Sequence, residues 1–477
     1  MTKPRTTHPA TYRKASSAEK PGAPSLRSGS DRAKRDGARP GKNGRRETTK
    51  PAAKQDRAGG REVPVARTDE KQTEPGARIS RRAADRLRNG HVWVYASDVE
   101  QVEAGEGKAP LLVPVADHRG LLLGTALYSP ASQIALRMVA HEAIEEPAWL
   151  RLLEKRLRAS IARRRILLNE ENDSCRLCFS EADELPGLVI DKYGELVIVQ
   201  RLTRGLLTDG VREVCTRVLR EELGPAAILE RPDPRIRELE GLEAPDATPW
   251  STANPAVMST QFRLNGLLFQ FDANAGQKTG AFLDQRANYA AAREWVQRLN
   301  ARDRVLDVCC YQGGFALHLA GICREVTGLD TSRASLEVAE KNLAANRAGL
   351  IAEVDWVEGD AFEILRDWSD ANEKFNAMVL DPPAFAKTKR AVEGALRGYK
   401  ELNLRALKMI KPGGLLMTCS CSHHVGWADL EGAVAGAAAD AHRRVRLLER
   451  RGAAPDHPVV LNLPETEYLK CLVLEVE

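Results

Sequence analysis

Two cysteines near the end of the chain sit in Thr418-Cys419-Ser420-Cys421-Ser422-His423-His424, directly after Leu415-Leu416-Met417, which reads as a strand. Phe375 to Leu380 reads as another strand and ends in Asp381-Pro382-Pro383-Ala384-Phe385. Two prolines stop that strand and build a stiff loop with few donors at its carboxyl edge. A cysteine at such an edge, beside an acidic loop, can do one distinctive piece of chemistry. Carbon 5 of a pyrimidine is a poor nucleophile until something adds at carbon 6. A thiolate adding there makes an enamine whose carbon 5 attacks an electrophilic methyl group. A base then removes the carbon 5 proton and the thiolate leaves by elimination. Spacing leaves both Cys419 and Cys421 open for this role, and a buried strand cysteine is the plain alternative for either. His423 and His424 diverge as chain neighbours, which suits a local base or hydrogen bond better than a shared metal.

The methyl donor needs its own site, and Arg304 to Ser332 is laid out for one. A short apolar run carries Asp307; Tyr311-Gln312-Gly313-Gly314-Phe315 follows; a helical segment leads to a second apolar run ending on Asp330. Strand, glycine turn, helix, strand and acid form a mononucleotide-binding half-sheet, in which the last acid accepts from ribose hydroxyls. The turn lacks the G-x-G-x-x-G that seats a pyrophosphate on a helix N-terminus. A nucleoside without phosphates therefore fits better, and S-adenosylmethionine is the expected cofactor; an ordinary βαβ unit is the alternative. After the next strand, Asp360 is placed to accept from an adenine amino group. Upstream, Gly276 and Gly280 bracket Lys278 and Thr279, and Phe282-Leu283-Asp284-Gln285-Arg286 enters a helix. This polar entry could clamp the carboxylate of a methionine tail; helix capping by Asp284 is the competing explanation.

The elements that must position these groups follow from length and texture. A chain of 477 residues holds two or three domains. It has no apolar run long enough to span a bilayer and no signal-peptide segment, so a cytoplasmic enzyme is expected. Nine cysteines without a paired framework suit a reducing compartment. Cys175 and Cys178 lack a second ligand pair, and no metal is expected. The net charge of +5 hides an asymmetry, because residues 1 to 75 hold 19 Lys and Arg against 9 Asp and Glu. That tail is too poor in apolar residues to order itself and could hold RNA through its charge or merely solubilise the chain. From Arg78 to about His141 a short basic helix and several β-like runs predict a small barrel, suited to RNA docking or a structural role. Glu145 to Asn169 predicts an amphipathic helix whose arginine-rich face is expected to be solvated.

With these residues in hand, the chain resembles the class I S-adenosylmethionine-dependent methyltransferases of bacterial large-subunit ribosomal RNA, of the 5-methylcytosine type. The resemblance covers about residues 78 to 477. It is carried by His91-Val-Trp-Val, Tyr128-Ser-Pro-Ala-Ser-Gln133, Leu185-Pro-Gly-Leu-Val-Ile-Asp191, Gly276 to Arg286, Cys310-Tyr-Gln-Gly-Gly-Phe315, Leu380-Asp-Pro-Pro-Ala-Phe385 and Ser420-Cys-Ser422. It implies an α/β fold: a Rossmann-like methyltransferase domain (271–477) after a PUA domain (77–143) and a central α+β domain (144–270), with the basic tail (1–76) outside. It places the cofactor against Tyr311, Gly313 and Gly314 near Asp307, with Asp330 on the ribose and Asp360 on the adenine. Lys278, Phe282, Gln285 and Arg286 would close over the donor, and Asp381 would orient the base. Cys421 matches the family's nucleophile, which settles the choice over Cys419. Related enzymes often carry a second cysteine after the loop's first proline; here that position is Pro383, so the proton-removing group stays open. Large-subunit ribosomal RNA is the implied partner, without a membrane, and a homodimer is carried as a further expectation. The competing readings are a guanine-nitrogen RNA methyltransferase, which has no use for Cys421, and a non-catalytic RNA-binding or ribosome-assembly protein.

Overall fold

The computed structural model describes residues 13–14, 76–103, 111–245, 249–274 and 280–477. The basic segment expected to be disordered, and Lys278 with its neighbours, lie outside those residues except for the strand Arg13–Lys14.

The C-terminal part is a sheet of strands β1 (Arg304–Val308), β2 (Glu325–Asp330), β3 (Glu353–Glu358), β4 (Phe375–Leu380), β5 (Ile410–Ser420), β6 (Val445–Arg451) and β7 (Lys470–Val476). From the edge that pairs with Arg13–Lys14, the order is β3-β2-β1-β4-β5-β7-β6. The first five run parallel and β7 inserts antiparallel to both its neighbours. Parallel strands buried on both faces need apolar residues on both, and β1 supplies them. Val305 joins the core on one side, while Leu306 and Val308 join the other.

Three helices cover each face. On the first lie α1 (Arg286–Arg298), α2 (Gly314–Ala320) and α3 (Arg333–Asn346). On the second lie α4 (Ala361–Asp370), α5 (Val392–Met409) and α6 (Trp427–Asp440). Pro412-Gly413-Gly414 forms an irregularity within β5, between the pairs Phe375–Ile410 and Ala377–Leu415. The strand order reverses between β1 and β4. At such a point the connections leave in opposite directions and open a crevice at the carboxyl edge.

The N-terminal described part is a six-stranded barrel-like sheet with the basic helix Arg81–Arg88 packed on it. Two of that helix's arginines are already engaged: Arg86 with Asp98 at 2.6 Å, and Arg88 with Asp117. Between the barrel and the C-terminal sheet, four strands pair in the order Ala227–Glu230, Leu196–Arg201, Leu188–Tyr193, Cys175–Phe179. They carry the helices Glu146–Arg164 and Asp209–Leu223. The arginine-rich face of the first helix is not simply solvated. Arg158 reaches Glu154, Glu221 and Glu222, while Arg163 and Arg164 both reach Asp183. The hairpin Ser259–Leu264 and Leu267–Asp272 bridges two regions, sharing a core with Tyr193 and Leu196 on one side and with Leu336 and Ala339 of α3 on the other.

Candidate active site

The crevice at the β1–β4 switch point encloses about 600 Å³. Its walls come from the turn after β1, the ends of β2 and β3, the Asp-Pro-Pro loop after β4, the end of β5, and the approach to α1. Of the residues singled out from the sequence, it brings together Phe282, Gln285, Tyr311, Gly314, Asp330, Asp381 and Cys421.

The turn after β1 is strained where it meets this cleft. Cys309 and Tyr311 both have left-handed φ, at 61° and 51°, a region side chains other than glycine avoid. Hydrogen bonds hold them there. Cys310 N–H donates to Leu329 O at 3.0 Å, and Tyr311 N–H donates to Asp330 Oδ2 at 2.9 Å. The other oxygen of Asp330 accepts from Ser332 N–H at 2.8 Å. Asp330 thus ties two loops and still has lone pairs to offer a diol. The two glycines are demanded first by packing. Gly313 has φ 84°, and a Cβ on Gly314 would lie 2.5 Å from the Tyr289 ring.

Asp307 lies behind this turn rather than in the lining. It is fully buried, with Oδ2 accepting from Ala316 N–H at 2.8 Å in the first turn of α2 and Oδ1 without a partner. Burial pushes its carboxyl up to about 8, and the charges of Asp381 and Asp330 push the same way. Asp360 is exposed beside the cleft, between lining residues Gly359 and Ala361, and its Oδ1 caps α4 by accepting from Phe362 and Glu363 N–H at 2.8 and 3.2 Å. Arg286 points away. Its guanidinium donates to Ser174 O at 2.9 Å and lies 3.5 Å from Asp456, so in this structure it ties α1 to the central strands. Asp284 does not cap α1; its carboxylate accepts from the Tyr468 hydroxyl.

On the opposite wall, Cys421 Sγ lies 3.9 Å from Pro382 O. It is partly exposed, whereas Cys419 is fully buried against Cys471 of β7. The two serines flanking Cys421 are anchored rather than presented. Ser420 donates to the Tyr399 hydroxyl at 2.9 Å, the Ser422 and Tyr399 hydroxyls lie 3.1 Å apart, and Ala386 N–H donates to Ser422 at 3.2 Å. These bonds lock the end of β5 to α5 and to the Asp-Pro-Pro loop. Sequence reasoning did not single out Arg235, Tyr289 or Lys387, all of which line the cleft. Lys387 follows the Asp-Pro-Pro motif closely and was findable; Arg235 arrives from the central region by tertiary folding alone.

S-adenosylmethionine suits this donor set. Asp330 faces the cleft where a ribose diol would be held, and the carboxylates of Asp330 and Asp381 in its walls favour a cation. Comparisons with known proteins agree. Residues 77–141 match a PUA-like domain and residues 217–472 match the S-adenosylmethionine-dependent methyltransferase family. Ribosomal RNA large subunit methyltransferase I of Citrobacter koseri is 35% identical over 80% of this chain and 94% of its own; that of Klebsiella pneumoniae is 36% identical over 80% and 93%. The chain belongs to the ribosomal RNA large subunit methyltransferase I family of S-adenosylmethionine-dependent methyltransferases. In fold it is similar to SMU.776, a methyltransferase structure complexed with SAH, with TM-score 0.68 and 18% identity over 83% of this chain and 98% of that one. The family accounts for the α/β sheet order, for the PUA-like barrel and for the use of S-adenosylmethionine.

Proposed function

We propose that this methyltransferase acts on carbon 5 of a cytosine in large-subunit ribosomal RNA, through a transient covalent bond from Cys421. One observation carries the reading: a partly exposed thiol, held at the end of β5, opens into the same cleft as Asp330 and the β1 turn. A nitrogen acceptor would need no such thiol. The names of the relatives supply the ribosomal RNA substrate.

S-adenosylmethionine supplies an electrophilic methyl group on a sulfonium. Asp330 would hold the ribose, the turn at Tyr311 to Gly314 would contact the cofactor, and Phe282 and Gln285 would close over it. Asp360 would serve the adenine, and Lys278, outside the described residues, is proposed to join them. Asp381 and the stiff prolines after it orient the base. Thiolate addition from Cys421 forms the sulfur–carbon 6 bond and makes carbon 5 nucleophilic. Once carbon 5 is methylated, loss of its proton restores the double bond as the sulfur–carbon 6 bond breaks and the thiolate returns. The target must first leave its stack to reach a thiol set within a cleft. We assign the four parts 1–76, 77–143, 144–270 and 271–477 to tail, RNA-docking barrel, central domain and catalytic domain. No described helix is long and apolar enough to cross a membrane. We further propose a cytoplasmic enzyme and a homodimer; sedimentation of the purified protein tests the latter.

Purified protein, methyl-labelled S-adenosylmethionine and unmodified large-subunit RNA test the central reading. Label should appear in 5-methylcytidine and fall by at least about 10³-fold in Cys421→Ala. Label in a guanosine, indifferent to that substitution, would instead establish the guanine-nitrogen reaction.

A further inference from the structure

A buried lysine stands behind the candidate nucleophile. Lys470 opens β7 directly across from Ser420, the residue before Cys421. It is 2% exposed, and its ammonium donates to Ser422 O at 2.8 Å and Tyr468 O at 2.7 Å. Both acceptors are neutral carbonyls, and among the described residues no ion pair is formed by Lys470. Leaving a cation buried without a counter-charge is costly. Burial accordingly draws the Lys470 ammonium below its ordinary range, while the charges of Cys421, Glu467 and Asp429 oppose that shift, Cys421 foremost.

The other groups around the thiol do not supply the same field. Asp381 and Lys387 approach from the Asp-Pro-Pro loop, the former with the wrong sign and the latter exposed to screening solvent. Tyr399 from α5 and Tyr468 ahead of β7 are both driven toward the neutral phenol by burial. His423 packs against Tyr468. Lys470 is the cation among them that is both buried and fixed.

We propose that Lys470 is a positioning residue whose buried ammonium serves as counter-ion to the Cys421 thiolate, ionising the nucleophile before attack and stabilising it again on elimination. Lys470 keeps its proton throughout: the thiol proton passes to solvent when the thiolate forms, the sulfur–carbon 6 bond then forms on attack, and the same bond breaks on elimination to return the thiolate. The inference rests on Cys421 being the nucleophile.

The test is the pH dependence of iodoacetamide alkylation at Cys421, read on its own peptide by mass spectrometry in the full-length protein. In Lys470→Met the midpoint should rise by about one pH unit, a tenfold loss of thiolate at a given pH below it, and Lys470→Arg should recover part of the shift. An unmoved midpoint in a Lys470→Met protein that still binds S-adenosylmethionine overturns the proposal, because a merely structural lysine would not set the thiol titration. Should Lys470→Met not fold, coupling can be read in reverse. The Lys470 titration, followed by carbon NMR of labelled lysine and assigned with Lys470→Arg, should move down in Cys421→Ala; no movement overturns the proposal. RNA containing 5-fluorocytidine, which cannot lose a proton from carbon 5, separates the two levels. An adduct on another residue removes the Cys421 reading and this inference with it, whereas an adduct on Cys421 with an unmoved midpoint removes only the role of Lys470.

Discussion

Two regions of this molecule gather several carboxylates each, and they treat them oppositely. Where the central strands meet the catalytic domain, the buried acids Asp183, Asp191 and Asp456 each face a cation. Arg164 holds Asp183 through two bonds of 3.0 and 2.8 Å, Arg176 holds Asp191 through two of 2.8 Å, and Asp456 takes Arg176 N–H, His457 and Arg286. Burial alone would raise Asp456, but these partners, His457 foremost, bring it down to about 2. In and just behind the cleft, Asp330 and Asp307 are held by backbone donors, and the charges of Asp381 and Asp330 push the buried Asp307 up rather than down. The junction is finished, and the cleft is built to receive positive charge. A sulfonium donor is the kind of guest that completes it.

The largest effect should come from the finished side. Replacing Arg164 by Met removes the buried, two-bonded partner of Asp183 and leaves it only the more exposed Arg163 and the Phe179 N–H, at a cost of about 3 kcal/mol in urea unfolding. A loss below about 1 kcal/mol would mean water reaches this junction and the contrast is false.

The two regions should also respond to pH with opposite sign. The folded Asp307 value is raised, so its stabilising contribution is complete below about pH 4 and is lost as pH rises toward about 8. The folded Asp456 value is depressed, so its contribution is present above about pH 4 and is lost as pH falls toward about 2. In the ligand-free protein, Asp307→Asn should remove a slope of up to about 1.4 kcal/mol per pH unit between those limits. Thermal unfolding across that range checks it; identical curves would remove Asp307 as the source.

Asp330→Ala should weaken S-adenosylmethionine by about tenfold, close to 1.4 kcal/mol, measured by calorimetry. Unchanged affinity would reduce Asp330 to a loop tie. The smallest effect belongs to Asp360→Ala, about 1 kcal/mol of stability from the lost cap of α4. If cofactor affinity falls as well, the carboxylate serves the adenine in addition to the helix; if only stability moves, it is a cap.

Much of the site was legible in the chain because its groups are encoded locally. Asp330 ends a strand, Gly313 and Gly314 follow one, and Asp-Pro-Pro terminates another, so each lands at a carboxyl edge whatever surrounds it. The apolar run that buries β1 on both faces likewise announces a covered parallel sheet. Arg286 shows where such reading stops. Its position at the start of α1 was evident, but the direction of its guanidinium depended on Ser174 and Asp456, remote in the chain. The arginines of Glu146–Arg164 teach the same point, since their acidic partners at Asp183, Glu221 and Glu222 become neighbours only when strands and helices pack.

The sequence by itself determined the element order, the two prolines and the placement of Cys421 after a strand, since dihedral preference and apolar periodicity act between near neighbours. Tertiary structure alone decided that β7 runs back beside β5 and sets Lys470 behind that thiol. It alone carried Arg235 into the cleft and left Asp307 without a cation. Those outcomes are electrostatic, and the field at a buried atom is set by whichever distant residues the fold brings within a few ångströms of it.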